Sequence, residues 1–174
     1  MSLTLVFYKT TNYNVGNEIT RGEKMTDEIK QFWQAFCRKH NLALDTPVEA
    51  WAFGDSQAMA DDLAQLVDQG IKTATTSAFE LYQPGEHVPA VGEYNIILDG
   101  RDHPVCVTRT EVVYIVPYNQ VTPEHAYHEG EGDRSLAYWR QVHTEFFQRE
   151  FREEAGKEFY EQAPMLCEVF KKID

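Results

Sequence analysis

The sequence predicts an α+β domain whose strands form a curled sheet or small barrel with helices over its openings. Three observations predict it. Two segments with helical period precede residue 70. A run of strand-like segments punctuated by turn residues follows, to about residue 116. Two more helical segments and one last strand complete the chain.

The first helix opens at Thr26, an N-cap, with Asp27 and Glu28 in the first turn, where the helix dipole favours anions. Ile29, Phe32, Trp33 and Phe36 recur at i, i+3, i+4 and i+7, and Arg38-Lys39-His40 close the segment. That aromatic stripe has the spacing of a packing face. Residues 1–24 are polar and without period, so they are expected to be a flexible leader, with the domain starting near Met25 and running to 174. A second helix is expected from Ser56 to Gln69, with Met59, Leu63, Leu66 and Val67 inward and Gly70 supplying a left-handed end.

After Gly70 the period changes. Thr73 to Leu81 is rich in Thr and strand formers, Pro84-Gly85 reads as a turn, and Glu93 to Leu98 is a strand. Asp99-Gly100 signals a hairpin leading into a long strand from Pro104 to Val116. Alternation places Val105, Val107, Arg109, Glu111, Val113 and Ile115 on one face of that strand. Two charges amid apolar neighbours either pair with each other at i, i+2 or reach into a cleft. Thr122-Pro123 starts a short helix, Asp133 can cap a longer one carrying Leu136, Trp139, Val142, Phe146 and Phe151, and Met165 to Phe170 is the final strand.

Composition narrows the function classes. The 174 residues carry a formal net charge of −12, which works against a non-specific grip on a DNA or RNA backbone, because such binding needs clustered cations. Any nucleic-acid role then calls for a local positive pocket or a ligand as small as one nucleotide. No apolar run approaches the roughly 20 residues that span a bilayer. Three widely spaced cysteines, Cys37, Cys106 and Cys167, fit a reducing compartment, so the expected location is the cytoplasm.

Against this acidic background Lys72 stands out. It is the only Lys or Arg between Lys39 and Arg101, a stretch with ten carboxylates. It lies in Gly70-Ile71-Lys72-Thr73-Ala74-Thr75-Thr76-Ser77, where helical pattern gives way to strand pattern. Either the lysine keeps a tight turn soluble, or it is placed for chemistry. A lysine partly withdrawn from water can act as a base, a neighbouring hydroxyl such as Thr75 as nucleophile, and a carboxylate on a facing strand, Glu111, can hold the lysine. His125, His128, Glu129, Glu131 and Asp133 surround a Gly-rich loop and are read as caps and solvated acids rather than as metal ligands. Arg134 among them is expected to form an ion pair. No metal and no cofactor are expected.

The block Gly70-Ile71-Lys72-Thr73-Ala74-Thr75 resembles the lysine signature of the ASCH domain, a small β-barrel related to the PUA domains of RNA-modifying proteins. The resemblance extends through Trp51-Ala52-Phe53-Gly54-Asp55, Val91-Gly92-Glu93-Tyr94, Ile97-Leu98-Asp99-Gly100, Pro104-Val105-Cys106 and the run Glu129 to Arg140. That last run is similar to a bacterial stand-alone subfamily described as predicted RNA-binding proteins. The resemblance implies a PUA-like fold with a cleft floored by the lysine motif and bordered by the second helix. It also implies two activities known among relatives: removal of the acetyl group from N4-acetylcytidine, and ribonuclease action. In the amidohydrolase a lysine and a threonine of the motif work with a glutamate from a later strand. Lys72 and Thr75 fall on those positions, and Glu111 is taken for the glutamate. Where many ASCH motifs carry an arginine, this chain has Ser77.

The expectation is therefore a domain that binds RNA, a nucleoside or a nucleotide around Lys72. Thr75 and Ser77 would supply hydroxyls, Arg109 and Glu111 would orient the ligand, and Tyr94, Tyr82 or Trp139 offer stacking faces, although core packing is the better account of each. The rival is a hydrolase of an acylated nucleoside, and a third class is an acidic protein-interaction module. Oligomeric state stays open, with a homodimer among the alternatives.

Overall fold

The computed structural model describes residues 25–174; the leader expected over 1–24 lies outside them. The described elements are helix α1 (Asp27–His40), strand β1 (Val48–Trp51), helix α2 (Gln57–Asp68) and strands β2 (Ala74–Ala78), β3 (Tyr94–Leu98) and β4 (Pro104–Pro117). Helices α3 (Pro123–Glu129) and α4 (Leu136–Ala155) and strand β5 (Pro164–Ile173) follow. Strand order is β1-β3-β4-β5-β2. The sheet is mixed, with β1 and β3 parallel and the β3–β4 and β2–β5 pairs antiparallel. Its edge strands are β1 and β2. Among the described residues no helix is long and apolar enough to cross a membrane.

The chain divides into two compact units. The first holds residues 25–68, Gly92–Arg109 and Lys172–Asp174. Here the Thr26 hydroxyl accepts from Ile29 N at 3.2 Å and starts α1, and Asn41 ends it in left-handed conformation. Ile29, Trp33 and Cys37 turn inward and share a core with Val48, Ile96, Leu98 and Val107. Strand β1, four residues long, is an element the sequence does not announce; it lies parallel to β3, with Val48 opposite Tyr94 and Trp51 opposite Ile97. The hairpin after β3 closes on Asp99, whose carboxylate accepts from Arg101 N at 2.8 Å and His103 N at 2.9 Å.

The second unit holds Gln69–Val91 and Thr110–Lys171. Its strands are β2, the later part of β4, and most of β5, with Thr75 opposite Glu168 and Thr76 opposite Cys167. Thr122 caps α3 through a bond from His125 N at 3.1 Å, and Gly130 ends it at φ +79°. Ser135 caps α4, whose Trp139, Phe146, Phe147 and Phe151 are buried. Burial of those rings is the main stabilising term here, each contributing roughly 1.5–3 kcal/mol over an exposed ring.

One expectation about β4 changes. Alternation puts the valines and isoleucine at odd positions inward, and Val107 does lie in the core, but the even positions Cys106, Thr108 and Thr110 are buried too. Further along, Val112 and Ile115 are about half exposed. The cause is polar satisfaction: the Thr110 hydroxyl donates to the buried Glu168 carboxylate, so a threonine can face inward at little cost.

Candidate functional site

Lys72 lies in the second unit, between Gly70 and β2, and is 2% exposed. Burying an ammonium is costly unless it is paired and hydrogen-bonded. Here its Nζ lies 2.8 Å from Glu131 Oε1 and 3.4 Å from Glu129 Oε2, and it donates to the Glu129 carbonyl at 3.3 Å. Burial works to lower the lysine pKa, but attraction and hydrogen bonds from Glu131 and Glu129 outweigh it and raise the value above the ordinary 10.5. The side chain is therefore an ammonium, not a free base.

Glu129 is the hub of the cluster. At 1% exposure it is among the most buried groups of the molecule, although the sequence reads it as a solvated acid. Its Oε1 accepts from Thr76 Oγ1 at 2.6 Å and from Trp139 Nε1 at 2.8 Å, with His125 Nε2 at 3.3 Å. Its Oε2 faces Lys72 and, at 3.5 Å, His143 Nε2. Burial alone would raise its pKa; the charges of His143 and Lys72 and bonds from the two histidines instead hold it well below 4.5. His125 Nε2 is 2.9 Å from Thr76 Oγ1, and its Nδ1 is 3.0 Å from the Tyr114 hydroxyl. Burial disfavours its charge, yet hydrogen bonds to Cys167 and Glu129 raise its pKa to about 9. As an imidazolium it donates from Nδ1 to Tyr114 and from Nε2 to Thr76, which passes its own proton toward Glu129.

Local sequence explains why these groups meet. His125 and Glu129 are one helical turn apart on α3. Gly130 then lets the chain press against Ile71 and Lys72: a β-carbon there would sit 2.8 Å from Ile71 O and 2.9 Å from Lys72 N. Thr73 N donates to His128 O at 2.7 Å, tying the start of β2 to α3. Arg134, expected to pair with the neighbouring acids, lies 3.8 Å over the Tyr127 ring and donates to Tyr127 O and Ile71 O.

The other expected site residues are distributed as follows. Thr75 and Ser77 alternate onto the half-buried face of β2, opposite in direction to buried Thr76. Ser77 Oγ is 3.0 Å from the Tyr82 hydroxyl, whose pKa burial pushes up to about 12. Glu111 pairs with Lys171 at 3.1 Å; the carboxylates against Lys72 are Glu129 and Glu131, which sequence reasoning does not assign to it. Tyr94 and Arg109 belong to the first unit, where they are opposite in register and the guanidinium lies 5.9 Å from the ring centre. Trp139 is 3% exposed and stacks on Tyr118 and His143. Chemically, the cluster sets Lys72, His125 and His143 against the carboxylates of Glu129 and Glu131.

The family model of the ASCH domain matches residues 49–174. The chain is similar to a structure from Enterococcus faecalis V583, at 38% identity and a TM-score of 0.75, covering 84% of this chain and 93% of that one. It is also similar to an ASCH domain from Lactobacillus crispatus JV V101, at 37% identity and a TM-score of 0.68, over 71% of this chain and 77% of that one. No curated protein matches the chain.

Proposed function

Because the chain belongs to the ASCH domain family, we propose that it binds a single nucleoside-type ligand beside Lys72 rather than an extended RNA. The observation that carries this reading is the pairing of the Lys72 ammonium with Glu131 at 2.8 Å and Glu129 at 3.4 Å. A phosphate would have to compete with both carboxylates for the same ammonium. The net charge of −12 repels a polyanion at longer range. An uncharged nucleoside meets neither obstacle. Three free, buried cysteines suit a reducing compartment, in keeping with a cytoplasmic ligand.

A second reading, hydrolysis of an acylated nucleoside such as N4-acetylcytidine, is favoured by the contact between motif residue Lys72 and the carboxylate of Glu129. Glu129 takes the part that the sequence gives to Glu111, and the hydroxyl on its side of β2 is that of Thr76 rather than Thr75. For Lys72 to accept a proton, its contact with Glu131 must first loosen, since that contact raises its pKa.

The test is a titration of the protein with nucleosides and with a single-stranded RNA oligonucleotide, followed by incubation with N4-acetylcytidine under chromatography. The proposal expects saturable nucleoside binding. Tighter RNA binding that weakens steeply with salt would reject it.

A further inference from the structure

We propose that Glu131 decides the charge of the ligand that the Lys72 site accepts: its carboxylate occupies the place of a ligand anion, so the site takes nucleosides and refuses their 5′-monophosphates. This rests on the nucleoside reading above and goes further, by assigning the selectivity to one side chain.

The two carboxylates on Lys72 are not equivalent. Glu129 is enclosed, with side-chain exposure of 2%, and is committed to Thr76, Trp139 and the histidines. Glu131 makes the shorter contact, 2.8 Å, and its side chain is 26% exposed. It is thus the partner through which the ammonium meets solvent, and the one that an incoming anion would have to replace.

Its position is built into the backbone. Glu131 lies between two glycines in left-handed conformation, Gly130 at φ +79° and Gly132 at φ +54°. A β-carbon at the first would collide with the Ile71–Lys72 backbone, and at the second with the Tyr138 ring. The loop is closed by Arg134 N donating to Glu131 O at 2.9 Å and by Asp133 accepting from Ser135 N at 2.8 Å. With the backbone pinned this way, the carboxylate is delivered to Lys72 by the fold. A charge-assisted hydrogen bond of this kind is worth about tenfold to a hundredfold in an equilibrium. An anionic ligand forfeits that factor and adds repulsion from Glu131 itself; a neutral ligand forfeits neither.

The experiment is calorimetric titration of the wild type and Glu131→Gln with the four common ribonucleosides and with their 5′-monophosphates. Glutamine keeps the size and a hydrogen-bonding end while removing the charge. The expected result is a wild type that prefers nucleosides, and a ratio of monophosphate to nucleoside affinity that rises about a hundredfold in the variant. Thermal melts check that the variant folds; if it does not, Glu131→Ala is read in the same way. An unchanged ratio, with nucleosides still bound by both proteins, overturns the inference and leaves the nucleoside reading standing. No binding of either ligand class to either protein overturns both.

Discussion

The indole of Trp139 donates to Glu129 Oε1 at 2.8 Å, while Lys72 approaches the other oxygen of the same carboxylate at 3.4 Å. One buried anion therefore links α4, α3 and the start of β2, and much of the second unit's polar interior depends on it.

Removing that anion leaves a buried ammonium short of a partner. Glu129→Leu is expected to cost about 3–5 kcal/mol, the range for breaking a buried ion pair. Urea unfolding measures it. In the double variant with Lys72→Met the two losses should sum to more than the observed cost, by over about 1 kcal/mol.

Gly130 is where the chain needs both a left-handed backbone and absence of a side chain. Gly130→Ala is expected to destabilise by about 2–3 kcal/mol through strain and collision with the Ile71 carbonyl. The same denaturation series reads it, with Gly156→Ala as the comparison: Gly156 shares the positive φ, but a β-carbon added there would meet no atom within 4 Å.

Stability should fall as pH rises from about 5 to 9. Burial, with a further push from Glu154, raises the Glu150 pKa from 4.5 to about 8, against the pull of Arg149. The folded state then holds a proton that the unfolded state has released, so stability drops across that window, on the order of a few kcal/mol. His125, raised from 6.5 to about 9, stabilises fully below pH 6.5 and loses this contribution as pH passes 9. Glu129, held below its ordinary value, stabilises above about pH 4.5 and loses that as pH falls. Melting temperature against pH checks the signs: Glu150→Gln should flatten the fall between about 5 and 8, and His125→Asn the fall between about 6.5 and 9.

Parts of this picture are legible in the residues and parts are not. Lys72 announces itself as a lone cation in an acidic stretch, and the Thr26 cap and apolar period of α1 hold in three dimensions, whereas α4 is capped by Ser135 rather than by Asp133, and Met59 of α2, expected inward, is exposed. Glu129 does not, because Glu-Gly-Glu-Gly reads like a solvated loop and its partners lie at positions 72, 76, 125, 139 and 143. The available hint is His125 one turn before it on the same short helix. Strand β1 escapes a sequence reading because four residues carry too little period, and its pairing is parallel with a strand more than forty residues away. Inward threonines on β4 defeat the alternation rule because Glu168 satisfies Thr110.

Whether the Lys72 site takes an uncharged nucleoside-sized ligand and not a phosphate chain is decided by one comparison. The protein is titrated with nucleosides and with a single-stranded RNA oligonucleotide at about 50 and about 200 mM salt. Nucleoside binding should change little between the two salts, with RNA bound more weakly. RNA binding that is tighter than nucleoside binding and falls steeply with salt would refute the nucleoside site.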